Sequence, residues 1–445
     1  MVNSSSNFIK KVFDTLETHH ISYGILRKSA EIMCGEAHDI DMCVDFNRID
    51  EVIKQLDICA KEECWNRFLC CDKDNGSLKT IHFYYIKDEK IDIVHFDLFR
   101  DFSWNGIILF DNSMLVSNLR KENGVFCVEK KIEEAIKFFS RYLYHGYIKE
   151  EYKESIYEYA TSNRTEFLNV FSTVTGGKVA TELCDLVSNQ NWTEIEDKVE
   201  KVRMEVKIVQ KATNPLNSRI KKIQRLAFQL NRLIHPQGLM VSFLGTDGSG
   251  KSTIIDALPK VLGNTFDETQ IKYYHWRPKF IKSPKGNKNA DTDVSDPHKK
   301  KPYGKVISYG KFMYFNLDYI LGYFFSVRKH IGKNELVVFD RYYYDYLLDK
   351  YRYRLDISDR VIKAFRHIIP SPHITFLLIG DAEVLFERKK ELPIEEMEKQ
   401  INRLKSMEKI IPNSFVVDVN EDIDTVVFNC SRKILKEMKR RNEAR

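Results

Sequence analysis

The chain has 445 residues, 43% of them hydrophobic and 30% charged, with a net charge of +6. An aromatic share of 12% supplies enough apolar surface to offset the entropy of ordering, which excludes global disorder. With 19 Gly and 11 Pro the chain is neither collagen-like nor of low complexity. Its length predicts two or three domains, and the mild basic balance suits an enzyme of phosphate substrates without requiring nucleic acid. The N-terminal stretch Met1-Val-Asn-Ser-Ser-Ser lacks an apolar signal core. The most apolar long stretch, Phe312 to Val327, is broken by Asn316 and Asp318. A cytoplasmic protein without a transmembrane segment is therefore expected. The 9 cysteines are irregularly spaced, and their densest cluster lacks C-x2-C pairs, so reduced thiols are expected.

Residues 1–148 mix helix and strand signals. Phe8 to His19 has helical spacing, and Asp50 to Cys59 reads as a second helix. Between them, Ile40-Asp-Met-Cys-Val-Asp45 alternates like a half-buried strand. Asp39 and Asp41, two apart at its start, share a face and can hold one divalent metal, as nucleotidyl transfer needs. Thr80 to Ile86 and Lys90 to Phe99 flank a polar turn at Lys87-Asp-Glu and read as a β-hairpin. A third carboxylate would come from Asp92 or Asp97. They are an odd number of residues apart, so a straight strand puts them on opposite faces, and Asp97 is preferred.

Residues 149–236 read as a polar helical connector, broken at Gly176-Gly177 and Asn214-Pro215. Residues 237–445 alternate strand and helix. The apolar runs Leu239 to Leu244, Ile271 to Trp276, Leu336 to Phe339, Ile374 to Ile379 and Phe415 to Val419 predict a doubly wound α/β domain with a parallel sheet. Lys282 to Lys305, rich in Lys, Asn, Asp and Pro, reads as a mobile loop.

The most specific motif is Gly245-Thr-Asp-Gly-Ser-Gly-Lys251-Ser252-Thr253, a G-x-x-x-x-G-K-[ST] phosphate loop between a strand and a helix. Gly245, Gly248 and Gly250 let the backbone around Ser249 curl with its N–H groups pointing inward. Lys251 can reach the β- and γ-phosphates of ATP, Ser252 can ligate Mg²⁺, and Thr253 opens the helix whose N-terminus favours an anion. Asp247 is either a turn-former or an acceptor for a hydroxyl of the second substrate, the latter preferred. Asp340 and Arg341 end the apolar strand Leu336 to Phe339, at the sheet edge that faces the ligand crevice. There Asp340 can hold Mg²⁺ and Arg341 can grip a phosphate. Tyr342 and its neighbours either flank the acceptor or pack beneath the loop. Arg388 and Lys389 stand where a closing lid could stabilise the transition state, or on a solvated helix face. Arg277 ends the second strand and either binds the acceptor's anionic group or is a loop arginine before Pro278.

Together the phosphate loop, the Asp340-Arg341-Tyr342 motif and the Arg388 to Lys390 segment resemble the thymidylate kinase family over residues 237–437. The resemblance implies five parallel strands, a phosphate donor on Lys251 and Ser252, phosphate contacts from Arg341, a hydroxyl contact from Asp247 and lid charges from Arg388. The segment from Pro297 and the stretch Lys311 to Arg328 look closer to a divergent branch found in bacterial surface-polysaccharide gene clusters. The N-terminal region resembles the minimal nucleotidyltransferase superfamily, with Lys28-Ser29 where a Gly-Ser pair normally cradles the triphosphate. The sequence therefore predicts an α/β protein of two catalytic-type domains, 1–148 and 237–445, around a helical connector. Its expected activity is ATP- and Mg²⁺-dependent phosphorylation of a small metabolite, nucleotide or sugar. The alternatives are a nucleotide-binding switch or scaffold and a kinase of nucleic-acid ends. A homodimer is left open.

Overall fold

The computed structural model describes residues 4–73, 76–213, 217–263, 265–266, 270–281, 301–390 and 392–443. Most of the predicted basic loop, residues 282–300, and the Asn214-Pro215 break lie outside the described residues. The chain divides into two compact units, one of residues 1–85 with 92–230 and one of residues 86–91 with 231–445. Among the described residues no helix is long and apolar enough to cross a membrane, and all the cysteines are free.

The first unit opens with α1 (Ser4–Thr18), which buries Phe8, Ile9, Val12, Phe13 and Leu16 along one face. β1 (Tyr23–Ile25), α2 (Ser29–Cys34) and β2 (Asp39–Val44) follow. Next come α3 (Ile49–Glu62), β3 (Asn66–Lys73), β4 (Leu78–Lys87) and β5 (Lys90–Phe99). The turn between the last two has Asp88 and Glu89 at φ 48° and 56°, the left-handed pair of a tight hairpin whose twist matches its strands. β6 (Phe102–Trp104) and β7 (Ile107–Phe110) pair in a small ribbon. α4 (Asn112–Val116), β8 (Arg120–Glu122) and β9 (Val125–Cys127) complete the mixed part. The seven-stranded sheet runs β3-β4-β5-β2-β1-β9-β8. β2 lies parallel to β5, with Asp39 opposite His95 and Asp41 opposite Asp97.

A helical array continues the unit: α5 (Lys130–His145), α6 (Glu150–Ser162), α7 (Arg164–Thr175), α8 (Gly177–Ser188), α9 (Trp192–Asp197) and α10 (Val199–Thr213). Phe138, Phe139, Phe167 and Phe171 form its aromatic centre, with Phe167 and Phe171 stacked at 3.9 Å. Leu26 and Cys43 belong to the same core, so one compact body runs from the mixed sheet through these helices. α11 (Asn217–Ile234) spans the boundary between the units.

The second unit begins with β10 (Leu239–Gly245), α12 (Lys251–Leu262) and β11 (Ile271–His275). α13 (Lys305–Gly322) passes through a π-helical turn at Tyr323–Val327 into α14 (Arg328–Gly332). β12 (Leu336–Asp340), α15 (Asp345–Leu348), α16 (Asp359–Phe365), β13 (Ile374–Ile379) and α17 (Ala382–Arg388) follow. α18 (Ile394–Met407), β14 (Ser414–Asp418) and α19 (Ile423–Glu443) close the chain. The five strands are all parallel, in the order β11-β12-β10-β13-β14. This is the parallel five-stranded sheet expected from the apolar runs. β10, β12 and β13 are almost wholly buried, which is why they read as continuous apolar runs instead of alternating ones. β10 lies between β12 and β13, so the chain leaves it at the point where the strand order reverses. That topology opens a crevice at the carboxyl ends of the strands.

Candidate functional site

The crevice is a cavity of about 560 Å³. Its lining includes Asp247, Gly248, Ser249 and Gly250 from the loop after β10, and Lys251, Ser252 and Thr253 from the first turn of α12. His275 comes from the end of β11, and Asp340 and Arg341 from the end of β12. Arg388 and Lys389 enter from the end of α17, with Val419, Glu421 and Val426 nearby along the wall.

The glycines explain the loop's path. Gly248 and Gly250 have φ of +82° and +76°, a region that other residues enter only at a steric cost. A Cβ on Gly248 would lie 2.6 Å from the Leu385 carbonyl, so the loop fits against α17 only with glycine there. A Cβ on Gly245 would lie 2.5 Å from Ser249 Oγ. Gly250 caps α12, so the unpaired N–H groups of that helix's first turn face the loop.

Lys251 is buried and folds back over the loop. Its Nζ donates to the carbonyls of Gly245 at 2.9 Å and Thr246 at 2.7 Å, and to Ser249 Oγ at 3.3 Å. Burial, helped by the neighbouring Arg341 charge, pulls the ammonium down to about 8 from its ordinary 10.5. Asp340 accepts a hydrogen bond from Tyr273 Oη at 3.1 Å and lies 3.4 Å from His275 Nδ1. Burial pushes its carboxyl up, but the His275 hydrogen bond and the Lys251 and Arg341 charges outweigh it and hold it below the usual value. Asp340 Oδ1 is buried with no hydrogen-bond partner among the described residues. Ser252 and Asp340 line the same cavity, and a hydroxyl with a carboxylate is an oxygen donor set suited to Mg²⁺.

Asp247 sits between two guanidinium groups. Its Oδ1 accepts from Arg341 Nη2 at 2.6 Å, and its Oδ2 accepts from Arg352 Nη2 in a short contact. Burial would raise its carboxyl, yet the Arg341 and Arg352 charges dominate and hold it well below the usual carboxylate range. Arg341 also donates to Asp345 at 3.2 Å, and Arg352 to Asp349 at 3.4 Å. Arg341 itself has φ 67°, a strained backbone held by this network and by its N–H bond to the Phe243 carbonyl at 2.9 Å. Arg388 Nη1 donates to the Val419 carbonyl at 3.0 Å, which sets its side chain along one wall.

Two residues with a predicted site role are placed elsewhere. Arg277 is only 3% exposed; it pairs with buried Asp318 at 2.8 Å and lies over the rings of Trp276, Tyr314 and Phe315. Tyr342 is buried against the rings of Tyr319 and Phe339 and donates to the Pro370 carbonyl at 2.5 Å. Neither lines the cavity. Arg352 does line it, without any motif in the sequence to announce it. It follows the tyrosine run by α15 and a turn, and only the fold returns it to Asp247.

In the first unit, ligand atoms of Asp39, His95 and Asp97 lie within 4.8 Å of one another. His95 Nε2 is 2.8 Å from Asp39, and Asp97 accepts from Thr80 Oγ1 at 2.6 Å. Asp41 is turned to Arg27, whose Nε and Nη2 both lie 2.5 Å from its Oδ2. Asp92 accepts from Ser4 in α1 at 3.0 Å and lies apart from this group. Asp97, and not Asp92, thus lies beside Asp39, while the contacts of Arg27 and His95 with these carboxylates had no signal in the sequence.

No family model matches the chain, and no curated protein sequence matches it. Among solved structures, the thymidylate kinase from Ehrlichia chaffeensis is similar, with 16% sequence identity and a TM-score of 0.30. The match covers 44% of this chain and 98% of that one.

Proposed function

We propose that the second unit is a P-loop phosphotransferase that takes ATP with Mg²⁺ and phosphorylates a small-molecule hydroxyl. One observation supports this most: the loop residues 247–253, the strand-end carboxylate Asp340 and the basic pair Arg388 and Lys389 line a single cavity. The loop N–H groups and the α12 N-terminus hold the donor phosphates, and Lys251 turns from the loop carbonyls to their oxygens. Ser252 and Asp340 would hold Mg²⁺, which neutralises charge on the phosphates when bound. Arg388 and Lys389 supply positive charge on the donor side as negative charge spreads over the migrating group. The acceptor oxygen forms a bond to the γ-phosphorus, the bond to the bridging oxygen breaks, ADP leaves, and the hydroxyl proton passes to water.

A sensor without an acceptor would use the same loop, so Asp340 separates the two readings. Asp340→Asn should lower turnover at least a hundredfold, on the order expected for losing a charge-stabilising group, while nucleotide affinity changes far less. Unchanged ATP consumption in Asp340→Asn would count against phosphoryl transfer at this site.

For the first unit we propose a nucleotidyltransferase-like site where the start of β2 lies beside the His95–Asp97 stretch of β5, with a divalent ion on Asp39 and Asp97. Arg27 balances Asp41, so that carboxylate helps to fix the site's charge and is withdrawn from the ion. Mn²⁺ binding to the full chain, lost in Asp97→Asn, tests it; equal binding by the variant would contradict it.

A further inference from the structure

Accepting the phosphotransferase reading, the acceptor side of the cavity is lined by His275, Asp340, Arg341, Arg352 and Asp247. Two arginines facing a phosphoryl-transfer cavity would ordinarily point to an anionic acceptor, since a guanidinium fork matches phosphate geometry. Here the fork is already filled. Each oxygen of Asp247 accepts from one guanidinium, Oδ1 from Arg341 and Oδ2 from Arg352. Asp345 and Asp349 take further N–H groups of the same two arginines. Three carboxylates therefore face two guanidinium groups, and a fourth, Asp340, stands at the adjacent strand end. An incoming phosphomonoester would have to break paired, buried charges or sit against Asp247, and like charges at such range are strongly unfavourable.

Among the described residues, no Phe, Tyr or Trp lines the wall. Trp276 and Tyr353 stack on each other at 4.5 Å, with Phe315 and Tyr346 packed edge-on around Trp276, and none of the four lines the cavity. What the acceptor meets is a set of carboxylate oxygens and fixed N–H groups, the surroundings in which hydroxyl groups donate and accept hydrogen bonds.

We propose that Asp247 is a built-in anion that occupies the two-arginine fork, so that the acceptor is an uncharged polyhydroxy compound and phosphomonoesters are excluded. A hydroxyl of the acceptor donates to Asp247, which orients it toward the γ-phosphorus. The paired arginines keep that carboxylate ionised and a poor proton acceptor, so the proton leaves to water as ADP departs.

The test uses the full chain with ATP and Mg²⁺ and two acceptor sets, neutral monosaccharides and polyols against sugar phosphates and nucleoside monophosphates. Products are read by mass spectrometry. The proposal expects neutral acceptors to be favoured by at least about tenfold in kcat/KM. Preference for phosphomonoesters would overturn it and leave the phosphotransferase reading standing. Nucleotide binding without turnover of either set would overturn both. A second arm fills the phosphate loop with a non-hydrolysable ATP analogue and measures glucose 6-phosphate binding. Asp247→Asn empties the fork of its carboxylate, so affinity for the phosphomonoester should rise by about tenfold or more. Equal or weaker binding by a variant that still binds the ATP analogue would contradict the proposal. Should that variant not fold, Asp247→Ser replaces it, with the same rise in glucose 6-phosphate affinity expected and equal or weaker binding contradicting the built-in anion.

Discussion

The ammonium of Lys251 gives the most quantitative prediction. Free of nucleotide, it is buried against the loop carbonyls and next to Arg341, and it titrates at about 8. Triphosphate oxygens beside it would favour the charged form, so the bound state keeps its proton to higher pH. The sign follows from linkage. Below pH 8 both states are protonated and affinity is flat; above it the free protein has lost the proton, and binding must take one up. The apparent Kd should therefore approximately double at pH 8 and rise about tenfold by pH 9, relative to pH 7. Isothermal titration with a non-hydrolysable ATP analogue would measure this, in buffers of different ionisation heat to count the protons. Lys251→Arg keeps its charge throughout and should bind with little pH dependence, whatever its absolute affinity. A Kd that stays constant from pH 7 to 9, or the same slope in Lys251→Arg, would refute the assignment.

Four further variants test the packing. Phe171→Ala removes a fully buried ring at the centre of the helical array and should cost about 3–5 kcal/mol in urea unfolding of the full chain. Gly248→Ala combines a positive φ with a Cβ 2.6 Å from the Leu385 carbonyl, so it should weaken ATP binding at least about tenfold. Gly124→Ala, at φ +86° with nothing within 4 Å, should instead lose only about 1–2 kcal/mol of stability. Arg27→Leu leaves Asp41 as an uncompensated buried charge and should cost about 3–5 kcal/mol, much of it recovered by adding Asp41→Asn.

The second unit was highly legible in its sequence because a fully parallel sheet buries both faces of its strands. Runs such as Leu336 to Phe339 then stand out without periodicity analysis. The phosphate loop was legible because local backbone geometry forces glycine at Gly248 and Gly250. Asp340 followed from its place at a strand end. What sequence could not resolve was side-chain direction. Arg277 and Tyr342 flank the right strand ends, but turn into an aromatic core. Arg352 reaches the cavity through a loop whose path depends on tertiary contacts. In the first unit, period-two alternation placed Asp39 and Asp41 on one face, but the pairing of Asp41 with Arg27 spans separate elements and has no local signature.

Phosphoryl transfer at the Gly245–Thr253 loop can be observed by incubating the full chain with ATP bearing a labelled γ-phosphoryl group and a panel of small hydroxyl compounds. Label should become covalently attached to one acceptor class with ADP released in equal amount, both lost in Lys251→Ala. Stoichiometric ATP binding with no labelled product from any acceptor would contradict it.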